Sequence, residues 1–240
     1  MEVLGDAIAR DRRSDATALS APAVGRAYDY RRFCTSAWKT GNFLRLLGVR
    51  GGVTVAIADD PIPEPVLTLF GAAALGATVR FGPPSPVGDD TRALVVPTAS
   101  LDEYDAGPAT KRVVYGDPPA TPDVSYFERD VWSENPTEPP DRVDPDDPLL
   151  RTADETYSHR EVLRSARSIV ERNGLDAESA VAVRSSFADP SVVVAGLVAP
   201  IVAGATVAIG PAAPGEFVVG GDAGGDAVAL ASSPDSLGSK

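Results

Sequence analysis

Lysine is almost missing from this chain. It occurs only at positions 39, 111 and 240, so 19 of the 22 basic residues are arginine. Against them stand 34 acidic residues, for a formal net charge of −12. That balance excludes the basic surface with which proteins hold nucleic acid or anionic membranes. A single cysteine, Cys34, excludes an internal disulfide and fits a reducing compartment. Its place on an amphipathic stretch makes it a buried small hydrophobe rather than a nucleophile. A single histidine, His159, provides no partner ligand for a metal site.

Charge is also missing from residues 191–213, a run long enough to span a membrane by length alone. Gly196, Pro200 and Gly204 interrupt it and no Lys or Arg flanks it, so it reads as a soluble element. No charged segment followed by an apolar one opens the chain, which predicts no signal peptide and a cytoplasmic protein. The acidic, lysine-poor composition resembles a salt-adapted surface, because molar salt shortens the screening length to about 3 Å. Codon usage in a GC-rich genome is the alternative source of the same bias.

What is present is a repetition. GATVRFGP occupies residues 76–83 and GATVAIGP occupies 204–211, which places the copies 128 residues apart. Matched signals precede each motif. Tyr30-Arg31-Arg32-Phe33 answers to Tyr157-Ser158-His159-Arg160, Leu47-Gly48-Val49 to Asn173-Gly174-Leu175, and Asp60-Pro61 to Asp189-Pro190. In the first copy, Phe33, Ala37, Phe43, Leu44 and Leu47 recur at helical spacing, with Gly48 as the stop. Val53 to Ile57 predicts a strand, 60–75 a small-residue helix entered through prolines, and Ala77 to Phe81 a second strand. Gly71 and Ala72 to Ala74 on that helix, like residues 192–203 in the second copy, are expected to lie close against a sheet. Right-handed crossovers make the strands parallel neighbours.

The fold class predicted is therefore α/β: two pseudo-duplicated subdomains with mainly parallel sheets flanked by helices. The first covers 1–143 and the second 144–213, with 214–240 a flexible tail poor in large apolar residues. Thirteen of the 22 prolines fall between Pro83 and Pro148. Within that region Ala93 to Val96 and Arg112 to Tyr115 predict two further strands of the first sheet, before a proline-rich crossing to the second copy.

Tyr28 to Phe33 leading to Leu47-Gly48-Val49, then Val53 to Ile57 and Leu75 to Val79, resembles the opening of the adenylate-forming enzymes. That superfamily includes acyl-CoA synthetases, luciferases and peptide-synthetase adenylation domains. Ala203-Gly204-Ala205-Thr206-Val207 is similar to the counterpart in the second subdomain of the same proteins. The resemblance covers roughly residues 1–211 and implies the paired α/β subdomains of their large N-terminal domain. It also implies a phosphate-binding loop rich in Ser, Thr and Gly, ending in Pro-Lys-Gly. The flanks of that loop are present in Asp146-Asp147-Pro148-Leu149-Leu150 and Ser158-His159-Arg160. Between them stands only Arg151-Thr152-Ala153-Asp154-Glu155-Thr156-Tyr157, with no glycine and no lysine. Asp154 and Glu155 place negative charge where a triphosphate would sit, a repulsion on the order of a kcal/mol or more. The superfamily's aromatic-Gly-x-Thr-Glu segment has no match, and the chain ends before the C-terminal domain that the resemblance implies.

No catalytic, cofactor-binding or metal residue is predicted. His159 reads as a cap or packing residue, Asp59-Asp60 and Asp144 to Asp147 as solvated charge. Ser185-Ser186 follows a strand end where open α/β sheets place ligands, but no Gly-x-Ser-x-Gly surrounds them. The expected function is a catalytically degenerate acyl-CoA synthetase-like protein that acts by binding, with no cofactor. Its contacts would be a homodimer or a protein partner in thioester metabolism, or a CoA or acyl ligand. The alternatives are an AMP-forming synthetase that completes its site with another chain, and an interaction module with no small-molecule site.

Overall fold

A computed structural model describes residues 1–220 and the backbone of the short strand at 228–229. Two 3₁₀ turns, Leu4–Ile8 and Arg10–Arg12, open the chain and bury Leu4, Ala7 and Ile8. A hairpin follows, β1 (Thr17–Ala21) and β2 (Arg26–Asp29), and then α1 (Tyr30–Leu46). The first copy continues through β3 (Thr54–Ile57), α2 (Pro63–Ala73) and β4 (Thr78–Phe81). The proline-rich region supplies β5 (Thr91–Pro97), β6 (Lys111–Tyr115), β7 (Ser125–Tyr126) and the single turn α3 (Phe127–Asp130). The second copy opens on another hairpin, β8 (Pro148–Arg151) and β9 (Thr156–Ser158), and runs through α4 (His159–Asn173) and β10 (Ala180–Val183). Its next helix is α5 (Pro190–Val192), a π-helical segment Val193–Val198 and α6 (Ala199–Ala203). The widened turns sit directly ahead of Pro200, whose ring clashes with the carbonyl four residues back in a regular α-helix. Strands β11 (Thr206–Ile209), β12 (Phe217–Val219) and β13 (Val228–Ala229) complete the described chain.

The strands form two sheets of matching order, β7-β6-β5-β3-β4-β8-β9 and β13-β12-β10-β11-β1-β2. All pairs are parallel except the two hairpins. The two GAT strands, β4 and β11, occupy equivalent places: each is parallel to its copy's preceding strand and to the first strand of a hairpin. Those hairpins are exchanged. β1–β2 precedes the first copy in sequence yet extends the second sheet, and β8–β9 precedes the second copy yet extends the first. Each sheet therefore holds strands from both sides of residue 143. Without a hairpin beside each of them, β4 and β11 would be open edges. β12 lies within the stretch expected as tail; residues 221–227 and 230–240 of that stretch lie outside the described residues.

The helix starts correct one alignment. Asp29 caps α1 and Ser158 caps α4 in a reciprocal box with Glu161, so Tyr30 matches His159 and not Tyr157. Tyr30 donates across the copies to the Ala205 carbonyl at 2.7 Å. One core cluster unites the helices with one face of each sheet, through Val55, Ile57, Val79, Val181, Val183 and Val207. Gly196 lies on the sheet as expected, where a Cβ would meet Val183 at 2.7 Å. Gly71 does not: its close neighbour is Gly41 of α1, so α2 meets a helix at that position.

The proline-rich crossing is a strap along α1. Lys39 donates to the Trp132 carbonyl at 2.6 Å, Asn42 to those of Asn135 and Thr137 at 3.0 and 2.8 Å, and Arg45 pairs with Asp141 at 3.2 Å. Among the described residues no helix is long and apolar enough to cross a membrane.

Candidate functional site

The carboxyl ends of β3 and β10, one from each sheet, meet at a crevice of about 350 Å³. Parallel strands leave their last carbonyls and the following loops there, which is where open α/β sheets gather ligands. From the first copy come Asp59 and Pro61; from the second come Val183, Arg184, Ser185, Ser186, Phe187, Gly210 and Pro211. Asp59 closes the junction by accepting the Phe187 N–H and the Ser186 hydroxyl. Beneath it Phe81 and Phe187, one from each copy, meet edge to face at 5.6 Å. Gly82 continues the approach with φ +57°, and a Cβ there would lie 3.1 Å from Ala188. Arg184 turns its guanidinium to the Ala213 carbonyl, with Nη2 at 2.9 Å.

Asp60, the neighbour of Asp59, is elsewhere engaged. It accepts from the Tyr115 hydroxyl, whose pKa rises through burial and then through this carboxylate. Sequence reasoning treated both aspartates as solvated charge, and the structure corrects this: each holds a partner. The signal was the doubled Asp59-Asp60 opposite a single Asp189 in the other copy.

Between Arg151 and Thr156, β8 and β9 close through a four-residue turn. The Thr152 N–H donates to the Glu155 carbonyl at 2.9 Å, and the Thr152 hydroxyl accepts from the N–H of Glu155 at 3.0 Å and of Asp154 at 3.3 Å. Three backbone donors are thereby used inside the turn. Tyr157 donates to the Glu155 carboxylate, and Arg151 is held by Asp90 at 2.5 Å. Asp90, also bonded by the Thr54 hydroxyl, has its pKa lowered by these two partners against the opposing effect of burial, which is the largest influence on it.

His159 is not at the crevice. It is fully buried at the first position of α4, and its Nδ1 accepts the Leu4 N–H at 3.0 Å. Burial pushes its pKa down to about 4, with Asp147 and Asp6 pulling weakly the other way. Cys34 is buried too, its thiol pushed up to about 11 by burial, so it is no nucleophile. Asp144, Asp146 and Asp147 organise the hairpin entry, with Arg160 on Asp146 at 2.7 Å. Among the described residues no group of three or more His, Cys, Asp or Glu is placed to hold a metal.

Solved structures share this architecture. An anthranilate CoA ligase, AuaEII, in complex with anthranoyl-AMP superposes with TM-score 0.72 at 20% identity, over 87% of this chain and 45% of that one. The N-terminal domain of FACL13 from Mycobacterium tuberculosis matches at 0.69 and 17%, over 86% and 56%. The nonribosomal peptide synthetase FmoA3 matches at 0.69 and 21%, over 85% and 22%. The fold is that of the N-terminal domain of acyl-CoA synthetases. The chain spans between 22% and 56% of the length of these three proteins. No family model and no curated sequence matches it. In this chain the crevice lies between the carboxyl ends of β3 and β10, and the β8–β9 connection is a closed hairpin turn.

Proposed function

We propose that this chain is a binding scaffold on the acyl-CoA synthetase fold that does not form acyl-adenylates. The observation that carries the reading is the turn at 152–155. Binding a transferring phosphoryl group needs convergent N–H donors and a cation, usually the largest single contribution to such catalysis. Here three turn donors are spent on Thr152 and Glu155, and Asp154 and Glu155 add like charge. The crevice bounded by Asp59 and Phe187 is then a contact site for a CoA-like or acyl ligand, or for a protein of thioester metabolism. ATP–pyrophosphate exchange with acetate and longer acids at high KCl should stay at the no-enzyme level. Exchange that is clear and is abolished by Arg151→Ala or Thr152→Ala would overturn the reading.

The −12 charge supports a salt-adapted protein as part of the same proposal. Self-repulsion on such a surface weakens as the screening length falls from about 10 Å at 0.1 M to about 3 Å at 1 M. The melting temperature should therefore climb through a KCl series toward molar salt. A flat series would assign the composition to codon usage instead.

A further inference from the structure

Asp59 is held the way a bound ligand would be. Its loop between β3 and α2 is fastened to the first sheet by the next residue, since Asp60 accepts from the hydroxyl of buried Tyr115 at the end of β6. The loop also turns on itself, with the Ile62 N–H donating to the Asp60 carbonyl at 2.8 Å. Presented from there, the Asp59 carboxylate reaches the second copy and takes two convergent donors, the Phe187 N–H at 2.5 Å and the Ser186 hydroxyl. The hydroxyl is itself oriented: its oxygen accepts the Ala188 N–H at 3.1 Å, which directs its proton to the carboxylate. Arg184 is the cation among the residues lining the same crevice. Two fixed donors beside a cation fit one planar carboxylate, whichever molecule supplies it.

We propose that the Phe187 N–H and the Ser186 hydroxyl form a carboxylate subsite that Asp59 occupies in cis, so that a ligand carboxylate enters this part of the crevice by displacing Asp59. The subsite deepens the reading of the crevice as a contact site and rests on it. Tethering gives Asp59 a high effective concentration, so a small free carboxylate does not displace it in the wild type. Asp59→Ala lacks the atoms of formate and Asp59→Gly those of acetate, and each variant vacates the two donors. Phe187 is buried, so its N–H without an acceptor carries a desolvation cost that the added anion removes.

The test is amide hydrogen exchange at Phe187 on the full chain, with potassium formate or acetate replacing KCl at equal concentration. In the wild type the amide should exchange slowly and ignore the anion. In Asp59→Ala it should exchange faster, with the melting temperature lower by about 5 °C, and formate should restore both. Asp59→Gly is the second variant, restored by acetate. A folded variant whose Phe187 amide responds to neither anion, or a wild type that responds as strongly, would overturn the proposal. Pyrophosphate exchange by the wild type would overturn the scaffold reading instead, and it leaves the anion result standing as a property of these donors.

Discussion

Between pH 6.5 and pH 4 the protein should lose about 3 kcal/mol of folding stability through His159 alone. The direction follows from protons bound. In the unfolded chain an imidazole titrates near 6.5, whereas folded His159 titrates at about 4. Within that window the unfolded state binds the extra proton, so acid favours unfolding; below 4 both states are charged and the effect is complete. Three features hold the folded value down: full burial, a position at the positive end of α4, and an Nδ1 already committed as acceptor to the Leu4 N–H. Protonation makes Nδ1 a donor and sets it against that N–H, so the opening turns at 4–12 should detach first. His159 is the only histidine, which leaves this window free of others. Glu128, whose pKa is raised by burial, acts in the opposite sense near the carboxylate range. Asp90, Asp130, Asp146 and Asp176, with lowered values, contribute losses only at lower pH. The deciding measurement is denaturant unfolding across pH for wild type and His159→Gln, whose amide oxygen can still accept from Leu4. The slope between 6.5 and 4 should disappear in the variant. A slope that survives would place the acid sensitivity elsewhere.

The same residue marks what the sequence could and could not disclose. Its burial was legible, since a lone His at a helix start next to Val162 and Leu163 has little else to do. Its partner was not, because the Leu4 N–H lies 155 residues away. The GAT strands, α1, α2, the parallel pair β3–β4 and the presence of β5 and β6 in the first sheet were legible from local periodicity and glycine stops. The hairpin exchange was hidden for the opposite reason. Period-two alternation says which residues face a core, but not which of two similar sheets a strand joins. Residues 17–29 gave no strand signal strong enough to register, and the order of the second sheet depends on them.

The crevice shows a similar split. Ser185 and Ser186 were identified by their place after a strand, and both line it. The sequence marks Asp59 as solvent-facing charge, yet it bonds the second copy across the crevice through Ser186 and Phe187. The duplication made equivalent positions visible; a residue present in one copy only, such as Asp59, is where the copies diverge in use. At residues 151–157 the sequence discloses the missing Gly and Lys, which are facts of composition; it does not disclose the closed β8–β9 turn, which depends on where the Thr152 hydroxyl accepts its backbone bonds.

Gly71→Ala should destabilise the protein by about 2 to 3 kcal/mol, and Gly71→Val by more. Two effects of opposite sign compete at this position. Alanine is the better helix former by about 1 kcal/mol, so in an open helix the substitution would stabilise. Here a Cβ on Gly71 would lie 2.8 Å from the Gly41 nitrogen, 3.0 Å from the Ala37 carbonyl oxygen and 3.1 Å from the Thr40 Cβ. Two of those three atoms are helix backbone and cannot swing aside, so α1 and α2 must separate. Separation would loosen the Phe33–Phe70 contact, now edge to face at 5.1 Å, within the cluster that joins both sheets. Interiors packed like crystals transmit such a shift rather than absorb it. Gly41→Ala is the internal comparison. Its Cβ would meet the Gly71 carbonyl oxygen at 3.0 Å and the Pro139 ring at 3.0 Å. The ring belongs to the strap and can move, so the loss should be smaller. Denaturant unfolding of the three proteins at high KCl ranks them, with wild type first, Gly41→Ala next and Gly71→Ala last. If Gly71→Ala matched or exceeded wild type, helix propensity would have prevailed, and the two helices would not be in the close contact described.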